Sequence, residues 1–238
     1  MEDIKPALYL IPVPLGDTPV GQVLPSYNRE VILQIHHFIV EEVRTARRFL
    51  KNIDKNINID ELSFYPMGKH ADQALFRKYL EPLVHGESVG VISEAGCPAI
   101  ADPGAQVVAI AHKLKLPVVP LVGPSSILLA LMASGFNGQN FAFHGYLPID
   151  ASARTSAIKK MEEKARTEKQ TQIFIETPFR NEQLFQELLK SCHNSTKLCI
   201  ASAITCAEEY IHTHTVETWR KTSMPHLHKI PTIFLIYQ

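Results

Sequence analysis

The chain has 238 residues, 45% of them apolar and 20% charged, the balance of an ordinary globular protein with room for one large or two small domains. Its 24 Lys+Arg offset its 24 Asp+Glu to a formal net charge of zero. That excludes a protein that holds nucleic acid by overall basicity, so an RNA partner would need a local patch. Taken in order, ALYLI (7–11) is an apolar strand followed by the turn-rich PVPLGD (12–17). A helix is expected over 25–35, a strand over 37–42, a helix over 44–53 and a strand over 62–67. A helix over 71–86 ends in Gly86. SVGVIS (88–93) is a strand, 103–115 a helix and LPVVPLV (116–122) a strand. Nearly continuous apolar strands that alternate with helices predict a parallel sheet covered on both faces.

The second half changes character. GPSSILLALMASG (123–135) reads as a helix closed by Gly135, FAFHGYLP (141–148) as a strand, 151–168 as a charged helix and TQIFIET (171–177) as a strand. A helix over 179–192 precedes strands over 197–204, 208–216 and 230–237. Strands that are neighbours in sequence are expected to pair antiparallel. The chain is thus read as α/β with two α/β domains: residues 1–120 around a parallel sheet and 121–238 around a mixed one.

No apolar run is long enough to span a bilayer. The start MEDIKPALYLIPVP lacks the basic region and long apolar stretch of a signal peptide. Cys97, Cys192, Cys199 and Cys206 contain no CxxC pair, so neither a zinc ribbon nor a redox dithiol is indicated, and the seven-residue spacing of the last three is read as coincidence. Free thiols without an export signal predict a cytoplasmic protein.

Three Gly/Pro-rich loops each follow an apolar strand: PVPLGD (12–17), SEAGCPAIADPG (93–104) and VGPSS (122–126). In a parallel sheet such loops share one rim, where ligands bind. Glycine admits close backbone approach and proline fixes the loop beforehand. The alternative is three ordinary turns, but three on one rim, one of them twelve residues long, favour a binding site. No GxGxxG or GxxxxGK[ST] motif occurs, which argues against a dinucleotide fold, a P-loop and the commonest methyltransferase fold.

YLIPVPLGD, VISEAGCPAIADPG, VVPLVGPSS, FHGYLP and IFIETPFR occur in an order that resembles the tetrapyrrole methylase superfamily of S-adenosylmethionine-dependent, class III methyltransferases. Within it the likeness is to the branch that 2′-O-methylates a cytidine of 16S ribosomal RNA. The resemblance covers nearly the whole chain. It implies a folded S-adenosyl-L-methionine in a cleft between the two domains, a homodimer, and small-subunit rRNA or the 30S particle as partner, with no membrane and no metal. By position in the motifs, it implies cofactor contacts from Leu15 and Gly16, from Ala95, Gly96 and Cys97 with Ile100 beside them, and from Ser125 and Ser126. Ile175 matches a position near the adenine. Ala201, Ser202, Pro231 and Thr232 lie where the second domain closes over the cofactor. Apolar walls with backbone hydrogen bonds suit such a ligand. The chain departs from the family at SAITC (202–206), at Lys229-Ile230-Pro231, at MGKHADQ (67–73), and at EEVRT (41–45), which keeps Glu42 and Arg44.

A ribose hydroxyl needs a base as well as positioning. The candidates for catalysis are Glu42, Arg44 and Glu94, with Asp102 and His70 also on the rim. Asp102, before Pro103-Gly104, is favoured as a helix N-cap. Glu42 and Arg44 form either an ion pair or part of the site. Glu176 contacts substrate or pairs with Arg180. Arg44, Arg47, Arg48 and Lys51 share one helix face, either a phosphate track or a solvated surface. The histidines of HTH (212–214) and HLH (226–228) lack a third ligand and are read as surface features. Two alternatives to rRNA methylation stay open: a tetrapyrrole or other small-molecule acceptor, and a diverged cofactor-binding protein without rRNA activity.

Overall fold

The computed structural model describes residues 3–67 and 73–238. His70 and most of MGKHADQ therefore lie outside the described residues. The chain divides into two compact units, Met1–Ser125 and Ser126–Gln238.

The first unit is built in the order β1 (Leu8–Ile11), α1 (Val20–Val23), α2 (Ser26–Ile32), β2 (His37–Val40), α3 (Val43–Ile53), β3 (Ser63–Pro66), α4 (Gln73–Tyr79), α5 (Glu81–Val84), β4 (Val89–Ile92), α6 (Gly104–Lys113) and β5 (Val118–Pro120). Its five strands lie in the order β3-β2-β4-β1-β5, and every pair is parallel. The strands are apolar on both faces, and the pleat sorts them. Tyr9, Ile11, Phe38, Val40 and Ile92 join Ile32 of α2 and Leu50 of α3 in one core. Leu8, Ile39, Val89 and Val91 join Phe76 of α4 and Val107 of α6 in the other. Burying each such side chain contributes roughly 1.5–3 kcal/mol, which secures the sheet as a rigid base for the loops on its rim.

Four elements differ from expectation. The helix over 71–86 is two short helices, because Pro82 has no N–H to give and its ring clashes with the preceding turn. It is accommodated instead in the first turn of α5. β2 stops at Val40 because the chain turns at Glu41 and Glu42 to start α3. The short α1 and a 3₁₀ turn over Ile59–Glu61 carry too few residues to show a period.

The second unit runs α7 (Ser126–Ser134), β6 (Phe141–Tyr146), α8 (Ala151–Thr167), β7 (Thr171–Ile175), α9 (Asn181–Ser191), β8 (Lys197–Ser202), β9 (Tyr210–Thr215), α10 (Val216–Trp219) and β10 (Thr232–Tyr237). Its sheet has the order β6-β7-β10-β8-β9. Only β8 and β9 are the antiparallel sequence neighbours expected. β6 and β7 are parallel, because α8 returns the chain between them. β10 enters between β7 and β8, antiparallel to both. Phe174, Ile200 and Phe234 of the sheet pack with Ile158 of α8, Leu184 and Phe185 of α9 and the buried Trp219 of α10. Trp219 gives its ring N–H to the Leu198 carbonyl at 2.8 Å.

Candidate functional site

In the first unit the parallel strands all deliver their C-terminal loops to one edge, and three of those loops interlock. Val13 and Gly96 exchange backbone hydrogen bonds of 2.9 and 3.2 Å, an isolated antiparallel bridge between the 12–17 and 93–104 loops. Gly96 has φ +71°, and a Cβ there would lie 3.1 Å from Leu15 Cδ2 and 3.5 Å from the Pro124 carbonyl. Cys97 Sγ sits 3.4 Å from that same carbonyl, so the middle loop also touches the 122–126 loop. The first and third loops meet directly. A Cβ on Gly123 would come within 2.2 Å of Pro12 Cγ, so only glycine fits. Buried Asn28 of α2 donates to the Val122 carbonyl at 2.8 Å and fixes the third loop from below.

The rest of the middle loop is braced by Asp102. Its Oδ1 accepts from the Ala99 N–H at 2.8 Å and the Gly104 N–H at 2.7 Å. The second bond is to the first residue of α6, whose N-cap is Pro103 rather than the expected Asp102; Asp102, one residue earlier, instead ties its own loop to the helix start. Burial pushes its carboxyl up, against the pull of those two N–H groups. Ala99 and Ala101 stand at φ +68° and +61°. For a residue with a Cβ this costs about 1–2 kcal/mol each, the kind of strain that persists where surrounding contacts over-determine a loop.

The acidic candidates separate by position. Glu42 accepts from the Arg44 backbone N–H at 3.1 Å and is the N-cap of α3. No ion pair joins Glu42 to the Arg44 guanidinium, so of the two alternatives the ion pair is not formed; the carboxylate caps α3 instead. Glu94, exposed in the middle loop, lies 2.6 Å from the Thr45 hydroxyl. Glu41, not among the sequence candidates, is the acid turned to the loop, and its Oε1 accepts from the Glu94 N–H at 3.2 Å. Burial raises the Glu41 carboxyl, with the Asp102 and Glu94 charges acting in the same direction. The signal for it was only its adjacency to Glu42. Arg44, Arg47, Arg48 and Lys51 are exposed along α3. Lys51 is used locally on the Lys55 and Ile57 carbonyls, and Arg47 lies 5.3 Å over the Phe64 ring.

In the second unit the sheet register gathers the other predicted residues at one end. Thr232 is opposite Ser202, and Ile233 lies between Ala201 and Ile175. Pro231 accepts from the Ala203 N–H at 3.0 Å. Ser125 closes the first unit and Ser126 begins α7. Glu176 pairs with Arg180 at 2.6 Å and is buried, which resolves that choice toward the ion pair. His212 and His214 stack at 6.1 Å on β9. Among the described residues no group of three His, Cys, Asp or Glu side chains is arranged to hold a metal.

The interlocked rim presents backbone groups, the Leu15 and Ile100 side chains and small residues, with carboxylates at its edge. That chemistry suits an organic ligand with apolar and hydrogen-bonding parts. No protein-family model matches the chain. It is 29% identical over 206 residues to ribosomal RNA small subunit methyltransferase I of Vibrio cholerae, covering 87% of this chain and 67% of that protein. It is 28% identical over 187 residues to the protein of that name from Halalkalibacterium halodurans, covering 79% and 61%. The chain therefore spans about two thirds or less of the length of these relatives. Among solved structures it resembles the methyltransferase CobJ, with a TM-score of 0.61 at 15% identity over 91% of this chain and 89% of that one. It also resembles uroporphyrin-III C-methyltransferase from Thermus thermophilus complexed with S-adenosylhomocysteine, with a TM-score of 0.58 at 15% identity over 98% and 97%. The fold is that of these two solved methyltransferases.

Proposed function

We propose that this chain is an S-adenosylmethionine-dependent methyltransferase whose acceptor is a ribose 2′-hydroxyl of small-subunit ribosomal RNA, a cytidine of 16S rRNA. The observation that carries the reading is the interlock of the 12–17, 93–104 and 122–126 loops in a chain whose sequence relatives are named as methyltransferases of small-subunit ribosomal RNA; the 2′-hydroxyl and the cytidine rest on the motif resemblance. The tetrapyrrole acceptor is less well supported, because the solved neighbours, at 15% identity, speak for the fold alone.

The residues fit such a cofactor. A Cβ at Gly96 would meet Leu15 and Pro124, so glycine there lets the loops pack closely, while Gly16, Ala95 and Ile100 beside it are exposed and offer backbone and apolar surface to a ligand. When bound, S-adenosylmethionine supplies an activated methyl group on a sulfonium. Leu15, Gly16, Ala95, Gly96, Cys97 and Ile100, with Ser125 and Ser126, are the proposed contacts. The contribution of Ile175, Ala201, Ser202, Pro231 and Thr232 rests on the resemblance alone. Glu94 and Glu41, linked at the rim, are the proposed proton acceptors for the acceptor hydroxyl. Glu41 joins on its raised carboxyl, because a base titrating nearer neutrality is the better one. Glu42 orients α3, and Arg44 on that helix faces solvent where a phosphate can meet it. A homodimer in the cytoplasm completes the proposal; light scattering that returned a monomer would remove the dimer.

The deciding experiment has two arms. Calorimetric titration with S-adenosylmethionine should give micromolar binding, about −8 kcal/mol, that Gly96→Arg abolishes. Methyl transfer to small subunits from a strain lacking the gene should then be seen with the wild type. Cofactor binding without transfer to rRNA would refute the acceptor, and no binding at all would refute the methyltransferase reading.

A further inference from the structure

We propose that Phe179, with Lys229 and His228 against it, is a stacking platform for an unpaired base of the RNA substrate. This rests on the RNA acceptor proposed above. Phe179 is 68% exposed, and a single exposed apolar side chain means nothing by itself. What distinguishes this one is how it is held and what surrounds it. It sits in a tight turn closed by the Arg180 N–H on the Thr177 carbonyl at 2.8 Å. The turn is anchored on its other side by the pair between buried Glu176 and half-buried Arg180. The Lys229 N–H bonds the Pro178 carbonyl at 3.0 Å and draws the 228–229 segment alongside the turn. Lys229 does this at φ +63°, a strained conformation for a residue with a Cβ.

The result is an exposed aromatic ring with a cation over it and an imidazole at its edge. Lys229 Nζ lies 5.7 Å from the ring centroid, and the His228 ring meets it edge-on at 5.9 Å. The nearby acids are engaged elsewhere. Glu176 is taken by Arg180, and Glu182 accepts the backbone N–H groups of Leu227 and His228 and lies 3.8 Å from His226. A second exposed aromatic, Tyr146 at 60%, ends β6 opposite Ile175 at the same end of the sheet. Single-stranded nucleic acid is held by this combination: bases stack on aromatic faces and the backbone phosphates find Lys and Arg. The exposed cations of α3 lack it, since the nearby Phe64 ring is only half-exposed beneath Arg47. In sequence, Phe179 stood inside IFIETPFR, but nothing there revealed that the ring would face outward beside a segment fifty residues downstream.

The test is binding of a fluorescein-labelled single-stranded RNA dodecamer by anisotropy, with melting temperature and S-adenosylmethionine affinity as controls. Phe179→Ala should weaken RNA binding roughly 5- to 150-fold, leave the salt slope unchanged, and leave both controls at wild-type values. Phe179→Trp should restore affinity to within about threefold, because any flat ring can stack. Lys229→Gln should instead flatten the salt dependence by about 0.7 in the logarithmic slope. An Ala variant that binds within twofold of wild type would overturn the platform while leaving the RNA reading intact. An Ala variant that also loses cofactor affinity would show a structural role and overturn it equally. A wild type that does not bind RNA would remove the acceptor reading and the platform with it.

Discussion

Gly123→Ala adds one methyl group where the first and third loops touch. The new carbon would sit 2.2 Å from Pro12 Cγ, 2.4 Å from Pro12 Cβ and 3.1 Å from Leu24 Cδ2. Ordinary contact begins near 3.4 Å, so the loops must part by about 1.2 Å. Pro12 cannot yield by changing rotamer, because its ring is part of the backbone. Overpacking of this kind costs about 1–3 kcal/mol, or a fall of about 2–12 °C in melting temperature at 2–4 °C per kcal/mol. The larger effect should be functional, since a 1 Å misplacement can cost about a hundredfold in rate. Urea titration and calorimetry with S-adenosylmethionine would measure both, with two alanine controls. Gly21→Ala in α1 meets nothing within 4 Å at an ordinary φ, so it should be neutral or stabilising by up to about 1 kcal/mol. Gly135→Ala also meets nothing but stands at φ +75°, so it should cost about 1 kcal/mol without touching cofactor affinity. A Gly123→Ala protein within 0.5 kcal/mol of wild type, with unchanged affinity, would refute the contact between the loops.

The acids at the rim predict a pH signature. The Glu41 carboxyl is raised in the fold, by burial first and then by Asp102 and Glu94. From about pH 4.5 upward to its raised value the native state thus holds more protons than the unfolded chain, so its contribution to stability falls as pH rises through that window. Glu41→Gln keeps the acceptor for the Glu94 N–H and removes the charge. Its melting temperature relative to wild type should therefore increase between pH 4 and pH 7, and a difference that shrinks over that range contradicts the reasoning. The thiols should divide as well. Burial pushes Cys192 up to about 12 and Cys199 up to about 11, so both should resist a thiol reagent in the native protein. Titration in native buffer should count no more than the two remaining cysteines, and four after denaturation; rapid labelling at Cys192 would show that α9 opens easily.

The first sheet was readable because LYLI, HFIV and VGVI are apolar on both faces and alternate with helical periods. Its strand order was not, since nothing in those runs says which neighbour each will take. The second sheet misled at the level of pairing. Sequence proximity favours hairpins, but the seventeen-residue α8 between β6 and β7 is long enough to return the chain for a parallel pair. At the site, the Gly/Pro density of the three loops announced a shared rim. Their interlock of Val13 with Gly96 and of Pro12 with Gly123 did not appear, because it depends on register between segments far apart in the chain. Glu42 was a plausible base by its place at a strand end and proved to be a cap. Glu41, one residue earlier, faces the middle loop because the chain bends there between β2 and α3.

The position of β10 has a consequence for synthesis. It lies between β7 and β8 and is antiparallel to both, with α7 and α8 packed on it. Until Thr232–Tyr237 leaves the ribosome, the second unit has only the β6–β7 and β8–β9 ribbons, and a two-stranded ribbon is barely stable in water. At about 5–20 residues per second, the interval between completing β7 and supplying β10 lasts several seconds. Throughout it Phe174 and Ile200 have no Phe234 to cover them. The nascent chain is therefore a natural client for a chaperone that shields apolar strands. A premature stop only a few codons before Thr232 would leave two unjoined ribbons rather than a slightly shortened domain.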